Sequence, residues 1–171
     1  TQNGNAFRSA SGDPGSKYWQ NRADYTIKAS FDSTSRELTG EVIISYTNNS
    51  GDQLPYIWLE LDQNTEKPEA LANILQPSKR KLSDALGFQF QKVQAATADA
   101  GSYKDVTYKV YGTRMQVFLP EALKAAGGRL QLKLNYSFVL QPSSAGDRAG
   151  YMDTPDGTIF ECGYWFPRVC V

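Results

Sequence analysis

The sequence predicts a mainly β domain, an antiparallel twisted sheet or β-sandwich with one or two short helices. Three observations lead there. Apolar residues alternate with polar ones in run after run, Gly, Pro, Asn, Asp and Ser punctuate those runs, and the 171 residues include ten Tyr and eight Phe, types that suit a pleated surface. A helical period surfaces only between Glu66 and Leu86.

Residues 1–17 are rich in Gly, Ser, Asn and Asp without periodicity and read as a flexible leader, followed by a β-rich domain over 18–171. Tyr25, Ile27, Ala29 and Phe31 mark a half-buried strand ending at Asp32. Leu38, Gly40, Val42, Ile44 and Tyr46 mark a second, paired with it as a hairpin through Ser33-Thr34-Ser35. Leu54 to Leu61 is apolar on both alternating faces and reads as an interior strand covered on both sides. Leu71, Ile74 and Leu75, then Leu82, Ala85 and Leu86, have helical spacing, split by Pro77-Ser78. Pro68 suits a first-turn position and Ser78 an N-cap. Strands resume at 87–93, at Val106, Tyr108 and Val110, and at Met115, Val117 and Leu119. That last strand is expected to stop at Pro120, with a helical turn over 121–126 released by Gly127-Gly128. The clearest signal follows: Leu130, Leu132, Leu134, Tyr136, Phe138 and Leu140 are apolar, and Arg129, Gln131, Lys133, Asn135 and Ser137 between them are polar. Residues 141–157 read as a loop.

A chain of this length is a single domain able to bury a real core. Eighteen Lys plus Arg balance eighteen Asp plus Glu, which leaves no net field to draw nucleic acid, so no nucleic-acid partner is expected. No apolar run approaches the roughly 18 residues of a membrane span, and there is no signal-peptide pattern. The histidine count is zero. That removes the commonest general base and metal ligand, together with every Ser-His or Cys-His nucleophile.

Little chemistry remains among the motifs. Cys162 and Cys170 can pair only if a turn folds one back on the other, and otherwise are small buried thiols. Asp153, Asp156 and Glu161 are close enough in sequence to suggest a pair of glycosidase carboxylates. Asp153 and Asp156 nevertheless flank Pro155 and Gly157 in a turn context, where Asp is favoured by its own backbone hydrogen bonds. Asn48 and Asn135 lie in N-x-[ST] sequons read as coincidence, and Lys79-Arg80-Lys81 as a solvated helix face. Tyr18, Trp19, Tyr164 and Trp165 could form a binding platform for sugar or peptide, although aromatics in a β-rich chain more often fill the core. The closing stretch Glu161 to Val171 is so apolar that it needs covering, and the expectation is a domain truncated at its C-terminal end, part of a larger protein.

Tyr25-Thr26-Ile27-Lys28-Ala29-Ser30-Phe31-Asp32, Leu38-Thr39-Gly40-Glu41, Tyr46-Thr47-Asn48-Asn49-Ser50 and Ile57-Trp58-Leu59-Glu60-Leu61-Asp62-Gln63-Asn64 resemble the opening of bacterial members of the aminopeptidase N family of zinc metallopeptidases, in the gluzincin clan. Leu119-Pro120, Gly127-Gly128 and the strand through Tyr136 are similar to the middle of that N-terminal domain, and Trp165-Phe166-Pro167-Arg168 to the segment preceding its second half. The resemblance runs in order over residues 18–171.

It implies a saddle-like, non-catalytic N-terminal β domain that covers a downstream catalytic domain of the same polypeptide and helps shape the pocket for a peptide substrate's free N-terminus. Zinc and the general-base Glu would belong to the parent protein, outside this chain, which itself carries no cofactor. The family's H-E-x-x-H and G-x-M-E-N motifs are absent here. Relatives place a Gln just before Trp-Phe-Pro where this sequence has Tyr164, so the substrate-proximal candidates are Glu161, Tyr164 and Arg168, with no metal ligand among them. A periplasmic or secreted location is implied in the same way. An incomplete domain exposes strand edges, through which dimerisation is expected. The alternative is a free-standing β-sandwich module that binds carbohydrate or protein.

Overall fold

The structure, a computed structural model, describes residues 3–75, 86–97, 102–143 and 148–170. Strand β1 (Arg22–Asp32) pairs antiparallel with β2 (Glu37–Asn48) in an unbroken register from Arg22 opposite Thr47 to Asp32 opposite Glu37. Then come β3 (Leu54–Glu60), a 3₁₀ turn (Asp62–Glu66) and α1 (Leu71–Leu75). Strands β4 (Gln89–Thr97), β5 (Lys104–Asp105), β6 (Tyr108–Tyr111), β7 (Arg114–Leu123) and β8 (Gly128–Val139) follow. The chain closes with the ribbon β9 (Ala149–Thr154) and β10 (Gly157–Cys162), then β11 (Arg168–Val169).

These strands make a five-stranded sheet in the order β1-β2-β8-β4-β5, a four-stranded sheet in the order β11-β3-β7-β6, and the two-stranded ribbon. Every pairing between these strands is antiparallel. The predicted mainly β, antiparallel class is the observed one.

One core joins both sheets. The inward face of β8 (Leu130, Leu132, Leu134, Tyr136, Phe138) meets Val42 and Ile44 of β2, Ile57 and Leu59 of β3, and Met115 and Val117 of β7 in a single buried cluster. Complete burial of such a side chain contributes about 1.5–3 kcal/mol, so β8, with pairing on both sides, anchors the larger sheet. Gly40 on β2 lies opposite Tyr136. A Cβ there would stand 2.6 Å from the tyrosine hydroxyl oxygen, so the absence of a side chain is what lets the ring lie across the strand.

Buried amides close the loops. Asn48, fully buried, donates to the carbonyls of Asp52 (2.8 Å) and Lys124 (2.9 Å) and accepts from Ser50. Its side chain is therefore consumed by the fold. Asn64 accepts from the Phe88 N–H and donates to the Gly112 carbonyl, both at 2.9 Å, which locks the 3₁₀ turn to two distant loops.

Several elements differ from the sequence reading. β3 is central in its sheet but buried on one face only: Ile57 and Leu59 point to the core, whereas Tyr56 is 40% exposed on an outer face shared with Trp58, Phe118 and Tyr111. β7 does not stop at Pro120. Between Tyr56 opposite Phe118 and Leu54 opposite Leu123 the register shifts, and the extra β7 residues of that irregularity include Pro120, whose missing N–H interrupts no regular ladder. The expected helical turn over 121–126 is consequently strand up to Leu123. Within 141–157 the described residues include β9, which pairs with β10 because Pro155-Asp156 make a tight turn. Leu71, Ile74 and Leu75 are 60–70% exposed, and Ala70 is the residue beside them that is buried. Ser78, Lys79-Arg80-Lys81 and the second helical segment as far as Ala85 lie outside the described residues.

Candidate functional site

Charged side chains converge where β11 joins β3. Arg168 stands opposite Glu60 and Val169 opposite Leu59, and the Cys170 N–H donates to the Trp58 carbonyl at 2.9 Å. That pairing brings the Arg168 guanidinium onto two carboxylates: Nη2 lies 3.0 Å from Glu60 Oε2 and 2.9 Å from Asp62 Oδ2. The hydrogen bond to Asp62, then the nearby negative charges of Asp62 and Glu60, hold the Arg168 pKa above its already high ordinary value. All three side chains are about a third exposed (34%, 38% and 30%), so solvent screens the cluster and each pair adds modestly to stability. Arg168 Nε is buried without a hydrogen-bond partner among the described residues.

Tyr164 sits against this cluster in the left-handed region, at φ 52°. A non-glycine residue there carries strain on the order of 1 kcal/mol or more and needs neighbours that hold it. Gln63 is one, because its buried amide donates to the carbonyls of Gly163 at 2.8 Å and Tyr164 at 3.4 Å. The Gly163 N–H donates to the Arg148 carbonyl at 2.8 Å, closing the base of the ribbon. Two guanidiniums flank the Tyr164 ring, Arg168 at 5.0 Å and Arg148 at 5.6 Å from its centroid, and Arg148 also donates to its hydroxyl. Arg168 is the cation–π partner of the ring, whereas Arg148 is held at its hydroxyl edge. The ring itself remains 39% exposed.

Beneath it, Trp165 and Phe166 meet edge-to-face at 5.2 Å, and Phe166 meets Tyr25 at 5.5 Å. The Tyr25 hydroxyl in turn accepts the Val169 N–H at 2.9 Å. Trp165 and Phe166 are thus half-buried packing residues, whereas Tyr18, at 39% exposure, and Trp19, at 43%, are open to solvent.

Of the residues named from sequence, the fold brings Tyr164 and Arg168 together and leaves Glu161 apart, exposed on β10 opposite Gly150 with no carboxylate partner among the described residues. Sequence reasoning missed Gln63 and Arg148. Gln63 lies inside the Ile57–Asn64 run, where it and Asn64 are the neutral polar residues; Arg148 carries no local signal. Gln63 supplies an amide beside Tyr164, but its NH₂ is turned inward onto backbone.

The chemistry available is correspondingly narrow. Asp153 lies on β9 opposite Thr158 of β10, where it accepts a hydrogen bond from the Thr158 hydroxyl and pairs with Arg36 at 3.5 Å, so cross-strand contacts rather than a turn hold it. Cys162 and Cys170 are unpaired, and burial pushes the Cys162 thiol up to about 11 and raises Cys170 as well, so neither is a poised thiolate. No group of three or more His, Cys, Asp or Glu among the described residues could hold a metal. With no histidine in the sequence either, these residues do not fit a zinc ligand set.

No protein-family model matches the chain, and no curated protein matches its sequence. Among solved structures it is similar to an M1 zinc metallopeptidase from Deinococcus radiodurans, at 17% identity and TM-score 0.48 over 84% of this chain and 25% of that one. A mutant of that enzyme bound to a Tyr-Ser-Ala substrate aligns at 17% identity and TM-score 0.47, over 77% and 24%. A two-domain M1 zinc metallopeptidase mutant bound to L-tryptophan aligns at 16% identity and TM-score 0.48, over 83% and 26%. The chain spans about a quarter of the length of these structures.

Proposed function

We propose that this chain is the non-catalytic N-terminal domain of a zinc-dependent aminopeptidase, covering a downstream catalytic domain and lending the junction around Tyr164 to the pocket for the substrate's amino end. One observation supports this reading above the others. The separate segments that resemble the family converge on one place: Tyr25 of β1, the run Trp58–Asn64 from the end of β3 into the 3₁₀ turn, and Trp165–Arg168 are joined by the Arg168 ion pairs, the Gln63 amide and the Tyr25 hydroxyl. Residues more than a hundred positions apart thus make one surface. Arg168 is a positioning residue here, committed to Glu60 and Asp62, while Tyr164 and Glu161 keep exposed side chains that a substrate could meet.

Zinc belongs to the parent in this reading, because the donors of this chain do not suit it. The test is to extend the coding sequence past Val171 and compare zinc content and hydrolysis of an aminoacyl-arylamide between the extended protein and the 171-residue chain. Zinc and turnover in the longer protein alone support the reading. A reading frame that closes without H-E-x-x-H, or turnover by the short chain, overturns it.

A second reading draws on the exposed aromatics. Phe7, Tyr18 and Trp19 line a cleft of about 690 Å³ with Arg8, Gln20 and Asp52, a mixture of ring faces and polar groups suited to a sugar or a peptide. A free-standing binding module is the function that cleft favours. Binding of a glycan or peptide that is lost on Trp19→Ala would support it.

A further inference from the structure

We propose that β1 pairs with β1 of a second copy of this chain, antiparallel, in the register that sets Ile27 opposite its own counterpart. The proposal stands on β1 alone and does not depend on the peptidase reading. β1 is the edge of the five-stranded sheet, eleven residues long, with no proline and no bulge in its register against β2. Among the described residues, no backbone N–H or C=O of residues 22–32 bonds outside the β1–β2 ladder. An edge so long and regular is open to strand addition.

The charges on β1 select the occupant. One face carries Arg22, Asp24, Thr26, Lys28, Ser30 and Asp32, and the other Ala23, Tyr25, Ile27, Ala29 and Phe31. A two-fold axis through Ile27 places Arg22 opposite the second copy's Asp32, and by symmetry does so twice. On the other face it sets each ring against a small residue, Tyr25 facing Ala29 and Phe31 facing Ala23. Moving the two-fold axis one residue toward the C-terminus, from Ile27 to Lys28, slips the pairing by two residues and sets Lys28 against Lys28 and Asp24 against Asp32. Sliding it the other way sets Asp24 against Lys28 but gives up the end pairs and moves Arg22 opposite Ser30. The centred register is therefore the one that uses the whole strand with every facing charge either opposite in sign or matched to a neutral residue. Within one copy, Arg22 pairs with Asp24 at 2.8 Å, but both side chains are more than half exposed (72% and 56%), so the partner is readily exchanged. Asp32 is already held in place by the N–H groups of Thr34 (2.8 Å) and Ser35 (3.4 Å). It presents its charge at the strand end without further ordering.

Sedimentation equilibrium of the 171-residue chain, with circular dichroism to verify folding, tests this. The expected result is a reversible dimer whose dissociation constant rises about tenfold or more in R22D, because two like-charge contacts replace two opposite-charge ones. D32R should do the same, and the R22D/D32R double variant should return to within about threefold of the parent chain. R22D leaves the Asp32 turn untouched, so a folding defect in D32R does not remove the test. D24K should have little effect, since in this register Asp24 faces Ser30. A chain that stays monomeric at high concentration, a dimer indifferent to R22D, or a D24K effect larger than that of R22D would each overturn the proposal.

Discussion

Removing the Gln63 amide should loosen the turn that carries Tyr164. In the native fold that NH₂ group donates to the Gly163 and Tyr164 carbonyls, and Gln63 is only 7% exposed, so water cannot simply take its place. Gln63→Leu keeps most of the side-chain volume and deletes the donor. The 2.8 Å bond to Gly163 is the substantial one, and leaving that part-buried carbonyl without its donor costs about 1 kcal/mol. For a chain of this size that corresponds to a fall in Tm of about 2–4 °C per kcal/mol. Gln63→Glu should be worse near neutral pH, where an ionised carboxylate accepts hydrogen bonds but cannot donate, and should recover part of the loss in acid, where the protonated carboxyl donates again. Urea unfolding followed by tryptophan fluorescence, combined with amide hydrogen exchange at Gly163 to Trp165, measures both effects. Faster exchange confined to that turn in Gln63→Leu is the expected signature. Unchanged stability and exchange in both variants would mean that the amide does not hold the left-handed Tyr164, and the proposed construction of the site would fail with it.

Other outcomes follow from single contacts. Gly40→Ala should destabilise by about 1–3 kcal/mol in a denaturant titration, because the new methyl overlaps the Tyr136 ring. Tyr136→Phe should be neutral or stabilising, since its hydroxyl is buried with no partner among the described residues, and a loss above about 1 kcal/mol would contradict that. Hydrogen bonds from Lys133 and Asn135 hold the Glu41 carboxyl below its ordinary range. Its contribution is therefore fully present above the unfolded-state value and lost as pH falls through the lowered one, so Glu41→Gln should flatten the acid limb of the stability profile below about pH 4. Alkylation of Cys162 at pH 8 should be slower than that of a free cysteine by about a hundredfold or more, given a thiol near 11, and should accelerate on unfolding; rapid labelling of the folded chain would refute the burial.

What was legible in the sequence was what depends on local period. The β1–β2 hairpin and β8 follow directly from alternation, because one face of each meets the core and the other meets water. β7 beyond Pro120 was not legible, since a proline is tolerated there only because the pairing with β3 is irregular at that point. The β9–β10 ribbon was hidden by its Gly, Asp and Pro content, and it packs through Phe160 on Phe31 and Tyr151 under Arg36, contacts with a strand and turn more than a hundred residues away. The same distinction divides the site. Tyr164 and Arg168 were found through a contiguous motif, whereas Gln63 and Arg148 matter because folding carries them to that motif from elsewhere in the chain. Strand alternation sets Glu161 on the exposed face of the ribbon, apart from the Tyr164–Arg168 cluster.

The most direct test of the proposed function is metal analysis and aminoacyl-arylamide hydrolysis measured side by side on this chain and on the protein encoded when the reading frame is extended beyond Val171. The expected result is stoichiometric zinc and turnover in the extended protein, with neither in the 171-residue chain. An extended frame that encodes no H-E-x-x-H, or zinc-dependent hydrolysis by the short chain itself, would contradict the assignment of this domain to an aminopeptidase as its non-catalytic part.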